Sequence, residues 1–225
     1  YGHILRPEVL SAPSGGTLNV HASLLPELRG AAPIHWAILR GHSITGISII
    51  RLVPEMDAGP ILFQTPERIG PTEAATELGT RLSEVGAQAL VEAMALLAEG
   101  AAVEVEQDPS RATFAPKIHR DMARVDWRRP AVELGWHLRG LDAVPGAWST
   151  LEGDPMKLFR PRPEPQFSHG ASPGTVLEMS HQDGLLVACG SGALWIEEIQ
   201  SPGKRRMPVA AWLQGHSLEG GSRFE

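Results

Sequence analysis

Apolar residues follow two different rhythms along this chain, and the change between them divides it. Over residues 72–99, Leu78, Leu82, Val85, Ala89, Leu90, Met94 and Leu97 recur every three to four positions. That spacing predicts a long helix with one buried face. Thr72 is its expected N-cap, Glu73 falls in its first turn, and Gly100 can end it. Upstream, residues 1–13 read as a loop–helix piece closed by proline, and 17–20 as a short strand. Ala31-Ala32-Pro33 opens a helix that runs through Ile34, Ile38 and Leu39 and stops at Gly41. The β-branched run 45–53 predicts a buried strand, and 60–64 a second one pairing with it like a hairpin. The order strand, helix, strand, strand, helix predicts an α/β layer structure.

After Gly100 the helical rhythm stops. Asp108-Pro109, Ala115-Pro116 and the polar run Lys117-Ile118-His119-Arg120-Asp121 predict a linker over 107–120. Residues 130–141 form a short amphipathic helix with Val132, Leu134, Trp136 and Leu138. Five short β-like segments follow, at 147–151, 156–160, 174–179, 184–188 and 193–199, between Gly- and Pro-rich turns. Such a series predicts a small barrel or sandwich. Residues 207–215 read as a closing helix.

Composition narrows the class. At 225 residues there is room for one large or two small domains. The hydrophobic share of 42% and charged share of 20% are ordinary for a soluble globular chain. The single cysteine, Cys189, cannot form an internal disulfide, which fits a reducing compartment. No apolar run approaches the ~18–20 residues of a membrane helix, and no signal-peptide pattern opens the chain. The net charge of −6 sits entirely in residues 1–115, with 7 Lys+Arg against 13 Asp+Glu. Residues 116–225 balance at 13 against 13, which leaves room for a local basic surface there.

The candidate chemistry begins at residues 18–30. Asn19 and His21 are two apart on a predicted strand and so share a face. On spacing alone His21 reads equally well as a strand-capping histidine, and Asp57, in the loop 54–60, as an ordinary turn aspartate. Taken together, an amide donor, an imidazole and a carboxylate suit acyl transfer. Ser23 lacks a G-x-S-x-G elbow and no cysteine is near, so direct transfer is favoured over a covalent enzyme intermediate. Leu24 and Leu25 read as core residues on their own. Arg29 reads either as a partner for a phosphate or carboxylate or as a loop holder, and Lys204-Arg205-Arg206 as either a solvated turn or a phosphate contact. No Cys/His cluster has metal-ligand spacing.

Three motifs carry a resemblance: Asn19-Val20-His21-Ala22-Ser23-Leu24-Leu25-Pro26, Arg29-Gly30-Ala31-Ala32-Pro33-Ile34 and Met56-Asp57-Ala58-Gly59-Pro60. Together they resemble the formyltetrahydrofolate-dependent formyltransferase family. Lys117-Ile118, Asp126-Trp127, Pro173-Gly174-Thr175-Val176 and Ser201-Pro202-Gly203-Lys204-Arg205-Arg206-Met207 extend the likeness into the second half, in the pattern of the tRNA-acting branch. The resemblance implies the C-terminal half of a Rossmann-like formyltransferase domain (1–106), a linker (107–120) and an OB-like β-barrel domain that binds tRNA (121–225). It implies formyl transfer from 10-formyltetrahydrofolate, without a metal, to the amino group of methionyl initiator tRNA.

Residue by residue, the resemblance assigns Asn19 and His21 to polarising the formyl oxygen and Asp57 to orienting His21 and assisting proton transfer. It assigns Ser23, Leu24, Leu25 and Pro26 to the folate site. Arg29, Lys117, Arg120, Lys204, Arg205 and Arg206 become tRNA contacts, with Arg124 assisting. The tryptophans Trp127, Trp136, Trp148, Trp195 and Trp212 are expected in packing roles. The implied protein is a monomer of the bacterial cytoplasm or an organelle, with neither DNA nor a membrane as partner. The family's catalytic domain normally begins well before the point that matches Tyr1. The chain is therefore expected to lack the first mononucleotide-binding half, to expose an apolar edge and to be weakly stable or weakly active alone. The rival readings are a formyltransferase acting on a nucleotide-linked amino sugar and a tRNA-binding remnant without turnover. A formyltetrahydrofolate hydrolase is less favoured, since it needs no RNA-binding half.

Overall fold

Ile47, Ile49 and Ile50 are all buried although neighbouring side chains in a strand face opposite ways. Their strand must therefore be covered on both faces, as a central strand is. The computed structural model describes residues 7–10, 12, 13, 15–219 and 221–225. The first half contains α1 (Pro7–Leu10), β1 (Leu18–His21), α2 (Pro33–Leu39), β2 (Ile44–Arg51), β3 (Ile61–Arg68) and α3 (Ala75–Ala98). The second contains α4 (Ala131–Gly140), β4 (Trp148–Leu151), β5 (Asp154–Glu164), β6 (Val176–Ser180), β7 (Gly184–Ala188), β8 (Ala193–Gln200), β9 (Met207–Pro208) and α5 (Val209–Leu213). Two units result, divided at Ile118/His119, with Thr72–Ala75 grouped with the second.

In the first unit β2 lies between β1 and β3, and both pairings are antiparallel. Asn19 pairs with Ile50 and His21 with Ser48, so the register puts the polar pair over the central strand. The hairpin of β2 and β3 is as expected. The parallel layer implied by a Rossmann-like half is not: among the described residues, the pairings between named strands are antiparallel. β1 and β2 run antiparallel although α2 lies between them in the chain, and β2 and β3 form a hairpin, so both neighbours of the central strand are antiparallel.

α3 buries Leu78, Leu82, Ala89 and Ala93. Two details of the expected helix change. It starts at Ala75, because residues 71–72 form a turn, so Thr72 does not cap it. Met94 is 56% exposed, because the buried stripe continues through the small residues Ala89 and Ala93 instead. Close approach needs such small residues: a Cβ at Gly86 would stand 2.9 Å from Val20 Cγ1 on β1. An apolar groove of about 410 Å³ opens here, lined by Val20, Ala22, Ile34, Ile47, Gly79 and Leu82 among others.

The segment 107–116 is not a free linker. Gln107 and Ala115 are buried, and Phe114 bridges Arg29. Its prolines and polar residues read as linker composition. A segment held by isolated backbone bridges has no side-chain period to reveal it.

The second unit is a six-stranded antiparallel sheet in the order β4-β5-β8-β7-β6, with β9 on β8. β7 is buried along its whole length. α4 inserts Leu134 and Leu138 into the same core. No closed barrel forms through the named strands. Trp127, Trp195 and Trp212 are buried in packing positions. Trp127 Nε1 donates to Ser149 Oγ at 2.9 Å, and its ring lies 5.4 Å from that of Phe224.

Candidate active site

β1 delivers Asn19 and His21 on one face, while Val20 turns to the other. Asn19 is half-buried and His21 is buried. His21 Nε2 lies 2.9 Å from the Leu28 carbonyl oxygen. A carbonyl only accepts, so Nε2 carries the proton in this contact. The other ring nitrogen, Nδ1, faces Asp57 Oδ2 at 3.7 Å. That separation is too long for a hydrogen bond but short for a pair of charges. Asp57 Oδ2 also accepts from the Gly30 backbone N–H at 2.8 Å. The three catalytic candidates thus come from one strand end and the β2–β3 loop.

Two positions here adopt left-handed backbone: Leu28 at φ 60° and Asp57 at φ 50°. Aspartate tolerates this conformation, whereas leucine has to be held in it. Thr113 does the holding. Its Oγ1 accepts from Leu28 N–H at 2.9 Å, and its carbonyl accepts from Arg29 N–H at 2.9 Å. Gln107, fifty residues beyond Asp57, donates through Nε2 to the carbonyls of Asp57 (2.8 Å) and Gly59 (2.7 Å). Ser48, buried on β2, donates to Ser23 O at 2.6 Å and accepts from Leu25 N–H and Gln64 Nε2. Gln107, Thr113, Ser48 and Gln64 were missed in the sequence. Each is an isolated polar residue, and no motif distinguishes it from a solvated one.

The folate candidates divide. Ser23 is 1% exposed and its hydroxyl donates to Glu27 O at 2.6 Å, while Leu25 is buried. These two hold the loop together from within. Leu24 and Pro26 are half-buried, and the Leu25–Pro26 peptide is cis.

The tRNA candidates divide as well. Arg29 is buried, and its Nη2 and Nε donate to Gln107 Oε1 at 2.7 and 3.1 Å. Its guanidinium thus has an internal acceptor within the first unit. Arg206 is likewise engaged: it pairs with buried Asp142 at 2.9 Å and with Glu198, and lies 4.1 Å from the Phe159 ring centroid. Its charge serves the fold of the second unit. Lys117, Arg120, Lys204 and Arg205 are exposed, as is Arg124, which lies 5.7 Å from the Trp148 ring centroid.

Cys189 lies outside this cluster, and burial pushes its thiol up to about 12, so it stays protonated. Among the described residues no group of three or more His, Cys, Asp or Glu is placed to hold a metal ion.

Comparison with known proteins agrees with the geometry. Residues 1–94 match the formyl transferase model, and residues 117–217 match the formyl transferase C-terminal domain. A methionyl-tRNA formyltransferase of Thiobacillus denitrificans is 44% identical over 224 residues, covering 100% of this chain and 72% of that protein. One from Geobacter sulfurreducens is 38% identical, covering 100% and 69%. Among solved structures, HypX from Aquifex aeolicus in complex with tetrahydrofolic acid superposes with a TM-score of 0.69 at 21% identity, over 93% of this chain and 39% of that one. WlaRD, a sugar 3N-formyl transferase, gives 0.65 at 15% identity, over 84% and 66%. The structural likenesses establish the fold. With family models matching residues 1–94 and 117–217, and with whole-chain identity of this size to the curated relatives, the chain belongs to the formyl transferase family.

Proposed function

We propose that this chain transfers the formyl group of 10-formyltetrahydrofolate to the α-amino group of methionyl initiator tRNA, in translation initiation. One observation carries the reading: the His21 ring is set between the Leu28 carbonyl and the Asp57 carboxylate, with Asn19 on the same strand face. The residues fit a formyl donor. An amide N–H can meet a carbonyl oxygen, and the half-buried apolar surfaces of Leu24 and Pro26 suit a flat ring system.

The folate supplies an activated formyl carbon. In this reading Asn19 donates its amide N–H to the formyl oxygen as negative charge develops there, and His21, whose Nε2–H is on the Leu28 carbonyl, acts from its Nδ1 side toward Asp57. The incoming amine forms a new N–C bond, and the bond from the formyl carbon to the folate nitrogen breaks. The amine loses one proton and the departing folate nitrogen gains one, so the step is balanced without another reactant. In this reading His21 Nδ1 and Asp57 Oδ2, 3.7 Å apart, hold that proton in passing. The Gly30 N–H on Asp57 Oδ2 keeps the carboxylate aimed at the ring.

The second unit is read as an OB-like tRNA-binding module. Its end strands β4 and β6 are drawn together by the C-terminal residues: Glu225 and Thr150 exchange backbone hydrogen bonds at 2.8 and 3.1 Å, and Val176 N–H donates to Ser222 O at 2.8 Å. Lys204 and Arg205 on this unit, with Lys117 and Arg120, are the exposed cations offered to phosphates. No helix of the described residues is long and apolar enough to cross a membrane. The protein is read as a monomer of the bacterial cytoplasm or an organelle.

The test is formylation of methionyl initiator tRNA with 10-formyltetrahydrofolate, beside Asp57→Asn. Turnover that falls at least about 100-fold in the variant is expected. Turnover of a nucleotide-linked amino sugar with none of tRNA, or tRNA binding without turnover, would overturn the reading.

A further inference from the structure

We propose that Gln107 is a positioning residue for the formyl transfer, acting through the backbone of the Asp57 loop and itself oriented by Arg29. The proposal rests on the function read above.

Gln107 is only 8% exposed, yet its amide is fully used. Oε1 accepts two bonds from the buried Arg29 guanidinium, and Nε2 donates both hydrogens, to Asp57 O and Gly59 O. Arg29 fixes which end of the amide faces the loop, because a guanidinium cannot accept. The Nε2 end therefore always presents donors to the two carbonyls that flank the left-handed turn at Asp57. Gly59 reinforces the constraint: a Cβ there would stand 1.9 Å from Arg51 O, so the loop has one close-packed path. Released from Gln107, the Asp57 backbone is free to relax out of φ 50°, and the carboxylate moves with it. The 3.7 Å approach to His21 Nδ1 is the geometry at stake. The same segment sets the other flank of the imidazole, since Thr113 holds Leu28, whose carbonyl receives His21 Nε2. A stretch of chain after α3 thereby determines both sides of the catalytic ring.

Two substitutions separate this role from simple packing. Gln107→Met keeps the volume and removes every hydrogen bond. Gln107→Glu keeps an acceptor for Arg29 and removes both donors to the loop. Both are expected to lower kcat by about 10- to 100-fold while leaving KM for tRNA and for the folate within twofold, as a displacement of about 1 Å at a catalytic group does. Combined with Asp57→Asn, Gln107→Met is expected to cost less than about threefold more, because the group it positions is already gone. A residue that only supports the fold would add its full cost in the double variant. The His21 ring signals in NMR give a readout independent of turnover: at a fixed pH their chemical shifts in Gln107→Met are expected to move toward those of Asp57→Asn, because the carboxylate beside Nδ1 is displaced in one and neutralised in the other. An inactive parent chain would overturn the functional reading and leave this second readout standing. Unchanged His21 ring shifts in Gln107→Met, or kcat within twofold of the parent, would overturn the positioning role.

Discussion

His137 shows how a single residue can set a pH limit. It lies on α4, is buried, and its Nε2 has no hydrogen-bond partner among the described residues. Burial, and secondarily the charge of Arg129, push it down to about 4 against a backbone hydrogen bond with Ala123 that pulls the other way. The unfolded chain, with an ordinary histidine near ~6.5, takes up this proton first as the pH falls. Stability from this residue is therefore complete above about pH 6.5 and is lost as the pH drops toward 4. Between pH 7 and 5 the loss is about 2 kcal/mol. Urea unfolding at those two pH values is expected to show this drop in the parent and to lose it in His137→Leu. Equal pH dependence in both would show that His137 takes up its proton in the folded chain as readily as in the unfolded one. The residues that carry the proposed chemistry were legible for a different reason. Asn19, His21 and Asp57 sit in motifs that resemble a known family, and that resemblance, not their spacing, singled them out. His137 sits in a short amphipathic helix where nothing in the spacing marks it as buried and unpaired.

At the scale of elements, legibility followed periodicity. α3, α4 and β7 each have a long enough apolar pattern to be read directly, and each appears within a few residues of its expected bounds. The segment 107–116 has no period, because its role is exercised through Gln107, Thr113 and backbone bridges to residues far away. Helix α3 also carries a contrast that the sequence hides. Gly79 and Gly86 are one heptad apart, and both give up helix propensity. A Cβ at Gly79 would meet Ile34 Cδ1 at 3.7 Å, an ordinary contact, whereas at Gly86 it would meet Val20 Cγ1 at 2.9 Å. Val20 is β-branched and stiff, so β1 itself would have to move. Gly79→Ala is expected to stabilise the chain by about 0.5–1 kcal/mol. Gly86→Ala is expected to destabilise it by about 1 kcal/mol, as overpacking outweighs the propensity gain. Denaturant midpoints followed by helical circular dichroism measure both, and a stabilising Gly86→Ala would mean that β1 is not tightly seated on α3.

For the molecule as a whole, net charge is a poor guide to the polyanion it is read to bind. The chain carries −6, and of the six cations expected to touch tRNA, Arg29 and Arg206 are held by internal acceptors. Arg206 nevertheless bears on the neighbouring pair. Its bonds to Asp142 and Glu198 fix the end of the turn at 201–206, and Gln200 Nε2 holds the Lys204 carbonyl at 2.8 Å. Lys204 and Arg205 are thereby presented from a braced turn, with less side of the chain to order on binding. Phosphate contacts release counterions, so each one steepens the fall of affinity with salt. Replacing both by alanine in the intact chain is expected to make the slope of log K against log salt shallower by about 1–2, with little change in kcat once tRNA is saturating. A filter-binding titration of initiator tRNA over a range of salt concentrations reads the slope directly. An unchanged slope would remove Lys204 and Arg205 from the interface and move the search to Lys117, Arg120 and Arg124, the other exposed cations singled out in the sequence.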